Sequence, residues 1–405
     1  MELVERLGKA ATLWSSRGGA SRGRVFVGRD TRGSGPELEE AFGRGVASAG
    51  GNAVLAGVLP TPAVALLALD LGVVISASHN PPEYNGVKFF DAGGSKLSDA
   101  SEEEIEALFD AEGPGGGAVD HVEVAEESYL EHVLERFGSD LTGLKIAVDC
   151  ANGAYAAIAP DAFVHLGAEV VAIGVDPDGT NINMGCGATD LAALSRTVRE
   201  NGCDLGVAFD GDGDRMLAVD AAGETVDGDQ ILAILALHLD VEVVAVTVMT
   251  NLGFHKLMEE RGVRVVTTAV GDRYVLEAMR REGGILGGEQ SGHVICLRDH
   301  VTGDGLAAAL LLCDAIRGRT LADAAAVMPR FAQAKENVRV TRREVPAAAL
   351  AEADRLNAGL AGSGCVLVRS SGTEPLIRVL GEAETAEEAE RLCGTIAALV
   401  RRELG

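Results

Sequence analysis

The chain has few aromatic residues, 4% Phe, Trp and Tyr together, so its core must be built from Val, Leu, Ile and Ala rather than from stacked rings. It is also short of positive charge. Against 61 Asp and Glu stand only 35 Lys and Arg, a net charge of −26, which argues against nucleic acid or an anionic membrane as partner, since both select basic faces. An anionic small molecule is not barred, because a phosphate needs only a local arginine cluster or a helix N-terminus. The seven cysteines, at 150, 186, 203, 296, 313, 365 and 393, form no C-x-x-C and no zinc spacing with histidine. Buried free thiols in a reducing compartment, the cytoplasm, are therefore expected. No apolar h-region opens the sequence, which reads against a signal peptide. The most apolar long segment, residues 231–249, carries His238, Asp240 and Glu242 and reads as a helix followed by a buried strand, not a membrane span. Neither G-x-x-x-x-G-K-[ST] nor G-x-G-x-x-G is present, so no nucleotide cofactor is indicated.

What is present is an alternation of short apolar strands with helical patterns. It reads as an α/β layer structure of several domains. Polar breaks divide the chain into segments 1–138, 139–239, 240–333 and 334–405, and the last reads strand, helix, strand, strand, helix, a small α+β domain. Three helix starts carry cap signals: Ser34 before Pro36, Ser101 with Glu104, and Thr385 with Glu388.

Four loops carry chemistry. Residues 73–90, VVISASHNPPEYNGVKFF, place Ser78 at the end of a buried strand, beside His79 and within reach of Lys88, where a nucleophile belongs. A serine that only satisfies local backbone is the alternative. In DGDGDR, residues 210–215, Asp210, Asp212 and Asp214 alternate with glycine, so three carboxylates can converge on one hard cation. An EF-hand fails here, because Arg215 stands where that loop needs glycine and Ala221 where it needs glutamate. A solvated acidic turn is the remaining alternative, and the fully apolar strand ahead of it disfavours that reading. The stretch RSSGTEP, residues 369–375, with Arg378 beyond it, offers two guanidinium groups, three hydroxyls and a free glycine N–H, the donors a phosphate dianion wants. A turn held by Glu374 would explain the hydroxyls but not both arginines. GEQSGH, residues 288–293, supplies a carboxylate, an amide, a hydroxyl and an imidazole suited to sugar hydroxyls.

Taken together and in this order, the four loops resemble those of the α-D-phosphohexomutase family, over nearly the whole chain. SASHNP resembles its phosphoserine loop, DGDGDR its metal loop, GEQSGH its sugar loop and RSSGTEP its phosphate loop. The resemblance implies an α/β fold of three related mixed α/β domains plus a smaller C-terminal α+β domain around a central cleft. It implies a phosphoserine at Ser78, with Mg²⁺ held by Ser78, Asp210, Asp212 and Asp214. It implies catalytic roles for Lys88, Arg215 and His293 in proton transfer or charge stabilisation, and sugar recognition by Glu289 and Ser291. The substrate phosphate would rest on Arg369, Ser371, Gly372, Thr373 and Arg378, and a hexose or hexosamine 1,6-bisphosphate would prime Ser78. Within the family, Gln290 in GEQSGH, GDRYV at 271–275, TVMTNLG at 247–253 and SGTEPLIRV at 371–379 look most like the branch acting on a phosphorylated amino sugar. Mannose and glucose phosphates are the alternative within the family, and a catalytically silent sugar-phosphate-binding protein is the alternative from another class. A second copy of the chain is a candidate partner. One departure stands out: the G-T-D-G-[IV]-R-G loop that opens the family's sequences has no counterpart here. A mis-assigned start or a truncated chain is the expectation, with a first sheet short of one strand and with exposed edge groups.

Overall fold

Runs of Val, Ile, Leu and Phe become strands of four sheets in the computed structural model, which describes residues 1–18, 23–371 and 374–404. The first sheet holds β1 (Arg24–Arg29), β2 (Asn52–Val58), β3 (Leu71–Ile75), β4 (Val87–Asp91) and β5 (Ala118–His121), in the order β4-β3-β1-β2-β5. The second holds β6 (Lys145–Asp149), β7 (Glu169–Ile173), β8 (Leu205–Phe209), β9 (Met216–Asp220) and β10 (Thr225–Val226), in the order β10-β9-β8-β6-β7. The third holds β11 (Val243–Thr247), β12 (Arg264–Thr268), β13 (Leu286–Gly288) and β14 (Val294–Cys296), in the order β12-β11-β13-β14. A smaller antiparallel sheet, β15 (Ala332–Arg339), β16 (Gly364–Ser370) and β17 (Leu376–Ala383), has the order β15-β17-β16 and is backed by the helices Ala347–Leu360 and Ala386–Leu404.

The first three sheets share a plan. Strands β1, β2 and β3 run parallel, as do β6, β7 and β8, and β11 with β13; then one antiparallel strand follows each. Thus β3 turns into β4, β8 into β9 and β13 into β14. Each chemistry-bearing loop of these sheets is the connection of one such hairpin. The incoming strands β3 and β8 are buried at every position, which is why they read as unbroken apolar runs.

By compactness the chain divides into Met1–Val248 with Val266–Ala325, and Met249–Val265 with Ala326–Gly405. The helices Gly228–His238 and Gly305–Ala315 are buried on nearly all sides within the first unit, so the apolar segment at 231–249 is core helix and strand. Among the described residues no helix is long and apolar enough to cross a membrane. The seven cysteines are free thiols, six buried and Cys365 half-buried.

Two cap expectations are corrected. The acidic helix is Asp99–Glu106 and its cap is Ser98, whose hydroxyl accepts from the Ser101 N–H; Ser101 already lies inside the first turn. Ser34 precedes the helix Gly35–Ser48 but has helical dihedrals, and its hydroxyl accepts from Asn85 Nδ2 instead of the helix. At the last helix Thr385 does accept from the Glu388 N–H, while the Glu388 carboxylate turns to Arg391.

Candidate active site

Ser78 follows β3 with φ of 51°, a left-handed conformation that costs a non-glycine residue about 1 kcal/mol or more. The surrounding loop imposes it. Arg32, fully buried, donates to the carbonyls of Ser78 at 2.9 Å, Asn80 at 2.8 Å, Tyr84 at 2.9 Å and also Pro81, while its Nε rests on Asp30 at 2.9 Å. Asp30 also accepts from the Ser76 hydroxyl, which in turn accepts from the Ser78 N–H. From the loop that follows β7, Asn183 Nδ2 adds a bond to the Ser78 carbonyl at 2.9 Å. A guanidinium with its donors directed at carbonyls and a carboxylate fixes a loop that has no regular pairing of its own.

The Ser78 hydroxyl donates to Asp210 Oδ2 at 2.6 Å. Asp210, Asp212 and Asp214 are buried, with one ligand oxygen from each lying within 4.8 Å of the others. The metal loop is pinned from both sides: Thr61 donates through N–H and hydroxyl to Asp212, and the Gly305 N–H donates to the Gly213 carbonyl. Gly213 has φ of 78°, and a Cβ there would lie 2.4 Å from the Tyr155 ring, so only glycine fits. Lys88 Nζ reaches Asp212 Oδ2 at 2.5 Å and Asp214 Oδ2 at 3.3 Å. Arg215 Nε lies 3.8 Å from Asp214 Oδ1, and His293 Nδ1 is equally far from the same oxygen.

Charge explains the titration behaviour. Burial, then the charges of Asp214 and Asp212, push the Asp210 carboxyl up to about 8. Burial acts the same way on Asp214, but Lys88, His293 and Arg215 outweigh it and hold that carboxyl well below its ordinary range. Burial lowers Lys88, and Asp212 with Asp214 more than reverse this, leaving it well above the usual lysine range. Burial lowers the His293 imidazole too, yet its contact with Asp214 raises it overall.

The oxygens Asp212 Oδ1 and Asp214 Oδ1 are buried and have no hydrogen-bond partner. Three converging carboxylates with two orphaned oxygens fit a hard divalent cation, which takes oxygen ligands. These residues could therefore hold a metal ion.

A cavity of about 400 Å³ opens beside them, lined by Ser78, Lys88, Asp214, Arg215, Glu289 and His293. Three of the four loops thus meet at one cavity in the first unit. Ser291 is exposed and its hydroxyl contacts Glu289 Oε2 at 3.4 Å. His79 Nδ1 lies 3.4 Å from the Ser78 hydroxyl.

The fourth loop belongs to the second unit. Arg369 and Arg378 face one another across β16 and β17, and they line a cavity of about 160 Å³ with Lys335 and Asn337 of β15. Ser371 is buried and its hydroxyl accepts from the Glu374 N–H. Gly372 and Thr373 lie outside the described residues.

Sequence reasoning missed Arg32, Asp30, Thr61 and Asn183, and it missed Lys96 and Asp272, which also line the larger cavity. The signal for Arg32 was present in GRDTRGSG, a charged pair closing an apolar strand, where neither charge could go unpartnered.

The chain is also similar to known proteins. Four models of the phosphoglucomutase/phosphomannomutase family match in order: alpha/beta/alpha domain I at residues 1–114, domain II at 127–223, domain III at 227–331 and the C-terminal domain at 336–399. The chain belongs to this family. Among its relatives, it is 49% identical to a phosphoglucosamine mutase of Streptomyces griseus, over 94% of this chain and 90% of that one. It is equally identical to a phosphoglucosamine mutase of Thermobifida fusca, over 98% and 93%. A crystal structure of a phosphoglucomutase/phosphomannomutase family protein from Burkholderia thailandensis superposes with a TM-score of 0.85 at 25% identity, covering 99% of this chain and 94% of that one. The N-acetylphosphoglucosamine mutase of Aspergillus fumigatus, solved with GlcNAc-6P and magnesium, shares the fold at 20% identity and a TM-score of 0.67, covering 84% and 92%.

Proposed function

We propose that the protein is an isomerase catalysing the phosphoglucosamine mutase reaction, the interconversion of glucosamine 6-phosphate and glucosamine 1-phosphate, for UDP-N-acetylglucosamine synthesis. Ser78 carries the phosphoryl group. Phosphorylated Ser78 gives it to the free hydroxyl of the substrate, forming a 1,6-bisphosphate; the bisphosphate turns over, and its other phosphate returns to Ser78. Atoms balance: one O–P bond forms as another breaks, and the hydroxyl proton is lost and regained over the cycle. The same bisphosphate primes the serine.

Ser78, Asp210, Asp212 and Asp214 hold Mg²⁺, which neutralises charge on the phosphoryl oxygens when bound. Lys88 Nζ, already fixed on Asp212 and Asp214, meets the transferring group as a cation. Arg215 and His293 add positive charge on the far side of Asp214. Because the His293 Nε2 is packed against Gly303, this imidazole offers the cavity charge more readily than a proton-accepting nitrogen. Glu289 and Ser291 read sugar hydroxyls. Arg369, Ser371 and Arg378, with Gly372 and Thr373, hold the phosphate that is not being transferred.

The observation that carries this reading is the 2.6 Å contact of the Ser78 hydroxyl with a buried three-carboxylate cluster, in a chain half identical to proteins named for this activity. A coupled assay with Mg²⁺ and a bisphosphate primer tests it, comparing glucosamine, glucose and mannose phosphates by kcat/KM. The expected result is a clear preference for glucosamine phosphate, abolished by EDTA and restored by Mg²⁺. A preference for glucose or mannose phosphate would overturn the substrate, and turnover in EDTA would overturn the metal.

A further inference from the structure

Glucosamine phosphate differs from glucose phosphate only by an ammonium in place of the hydroxyl at C2. Selecting it calls for an anion on the cavity wall with lone pairs to spare, since a carboxylate accepts and cannot donate. Three carboxylates border the cavity: Asp214, Asp272 and Glu289. Asp214 belongs to the metal cluster. Glu289 belongs to the loop read above as taking sugar hydroxyls, its Oε1 accepting from the Gly271 N–H at 3.0 Å and its Oε2 from the Ser291 hydroxyl at 3.4 Å.

Asp272 has no such role assigned to it. It opens the helix Asp272–Glu282, one third of its side chain is exposed, and its side-chain partners are long: Lys96 Nζ at 3.3 Å and 3.5 Å, beside one local bond from the Arg273 N–H. Its neighbour Arg273 does not neutralise it, because that guanidinium is turned onto Asp99 with bonds of 2.6 Å and 3.0 Å. Burial pushes the Asp272 carboxyl up, but His293 and Lys96 outweigh this and keep it below the ordinary range, an anion at neutral pH.

We infer that Asp272 is the ammonium-binding residue of the cavity and selects amino-sugar phosphates over their hydroxyl counterparts. The inference rests on the substrate reading above. Lys96 holds the carboxylate at the wall, and the substrate ammonium takes lone pairs that Lys96 leaves open. This assigns GDRYV a function that neither the metal loop nor the sugar loop supplies.

The test measures kcat/KM for glucosamine 6-phosphate and for glucose 6-phosphate, each with its own bisphosphate primer, in the parent protein, Asp272→Asn and Lys96→Met. Asp272→Asn is expected to lower the glucosamine value about 10- to 100-fold, the range for a lost charge-assisted bond, and the glucose value by about threefold or less. Lys96→Met keeps the carboxylate and is expected to keep the preference, whatever its absolute rate. Equal losses on both sugars in Asp272→Asn would show a positioning role and overturn the inference alone. So would loss of the preference in Lys96→Met, a result that stands even if Asp272→Asn does not fold. A parent with no preference for the amino sugar would overturn the substrate reading and this inference with it.

Discussion

Ser78 and Arg378 are both assigned to phosphate, yet their surroundings are opposite. Ser78 is 8% exposed, strained to a positive φ, and tied through its own carbonyl and N–H to Arg32, Asn183 and Ser76. Arg378 has a side chain 40% exposed, one 3.4 Å bond to Glu374, and an Nε with no partner. The reacting group is fixed before substrate arrives, because charge stabilisation acts fully only where the dipoles need not reorganise. A group that grips the idle phosphate of a substrate that must turn around gains from staying adjustable, and it can lose freedom when the phosphate binds.

This contrast can be broken by substitution. The largest effect is expected from Ser78→Ala, which removes the phosphoryl carrier and should lower kcat by about 10⁴-fold or more. Intact mass after incubation with bisphosphate should show one added phosphoryl group on the parent and none on the variant; retained turnover would remove the phosphoserine mechanism. Next comes Arg32→Met, which leaves Asp30 buried without its cation and four carbonyls short of a donor. It should destabilise the first unit by about 3–5 kcal/mol. Trp14 is the one tryptophan of the sequence and lies in that unit, so its fluorescence in a urea titration reads the loss. An unchanged midpoint would mean that the loop does not need its clamp.

Arg378→Ala should do the reverse: raise KM about 10- to 100-fold while the Trp14 transition stays in place. If it moved that transition as Arg32→Met does, the contrast between fixed and adjustable sites would fail. The smallest effect sharpens the account of the acidic helix. Ser98→Ala should cost about 1 kcal/mol as the loss of a cap, and Ser101→Ala close to nothing. The same fluorescence measurement ranks them, since Trp14 Nε1 donates to Glu104 of that helix.

The four loops were legible because their chemistry is contiguous: three aspartates fall within five residues, and Ser78 ends a strand whose burial is written in its composition. The clamp was not, because its members meet only in space. Arg32 lies 46 residues from Ser78, Asn183 lies 105 away, and Thr61 is 151 residues from Asp212. The cap of the acidic helix was misplaced for a smaller reason. Ser98 and Ser101 both present a hydroxyl ahead of acidic residues, and which one caps depends on a backbone dihedral, extended at Ser98 with ψ of 158°.

By itself the sequence determined the alternation of strand and helix, the α+β character of the last segment, and the residue types at each loop, since apolar periodicity and local side-chain chemistry are properties of neighbours along the chain. The tertiary structure decided that the serine, metal and sugar loops are each the turn of a hairpin, that a buried arginine holds Ser78 in its strained conformation, and that Asp272 lines the same cavity as Glu289. Those depend on which strands pair and which charges find partners after burial, and no spacing along the chain encodes either.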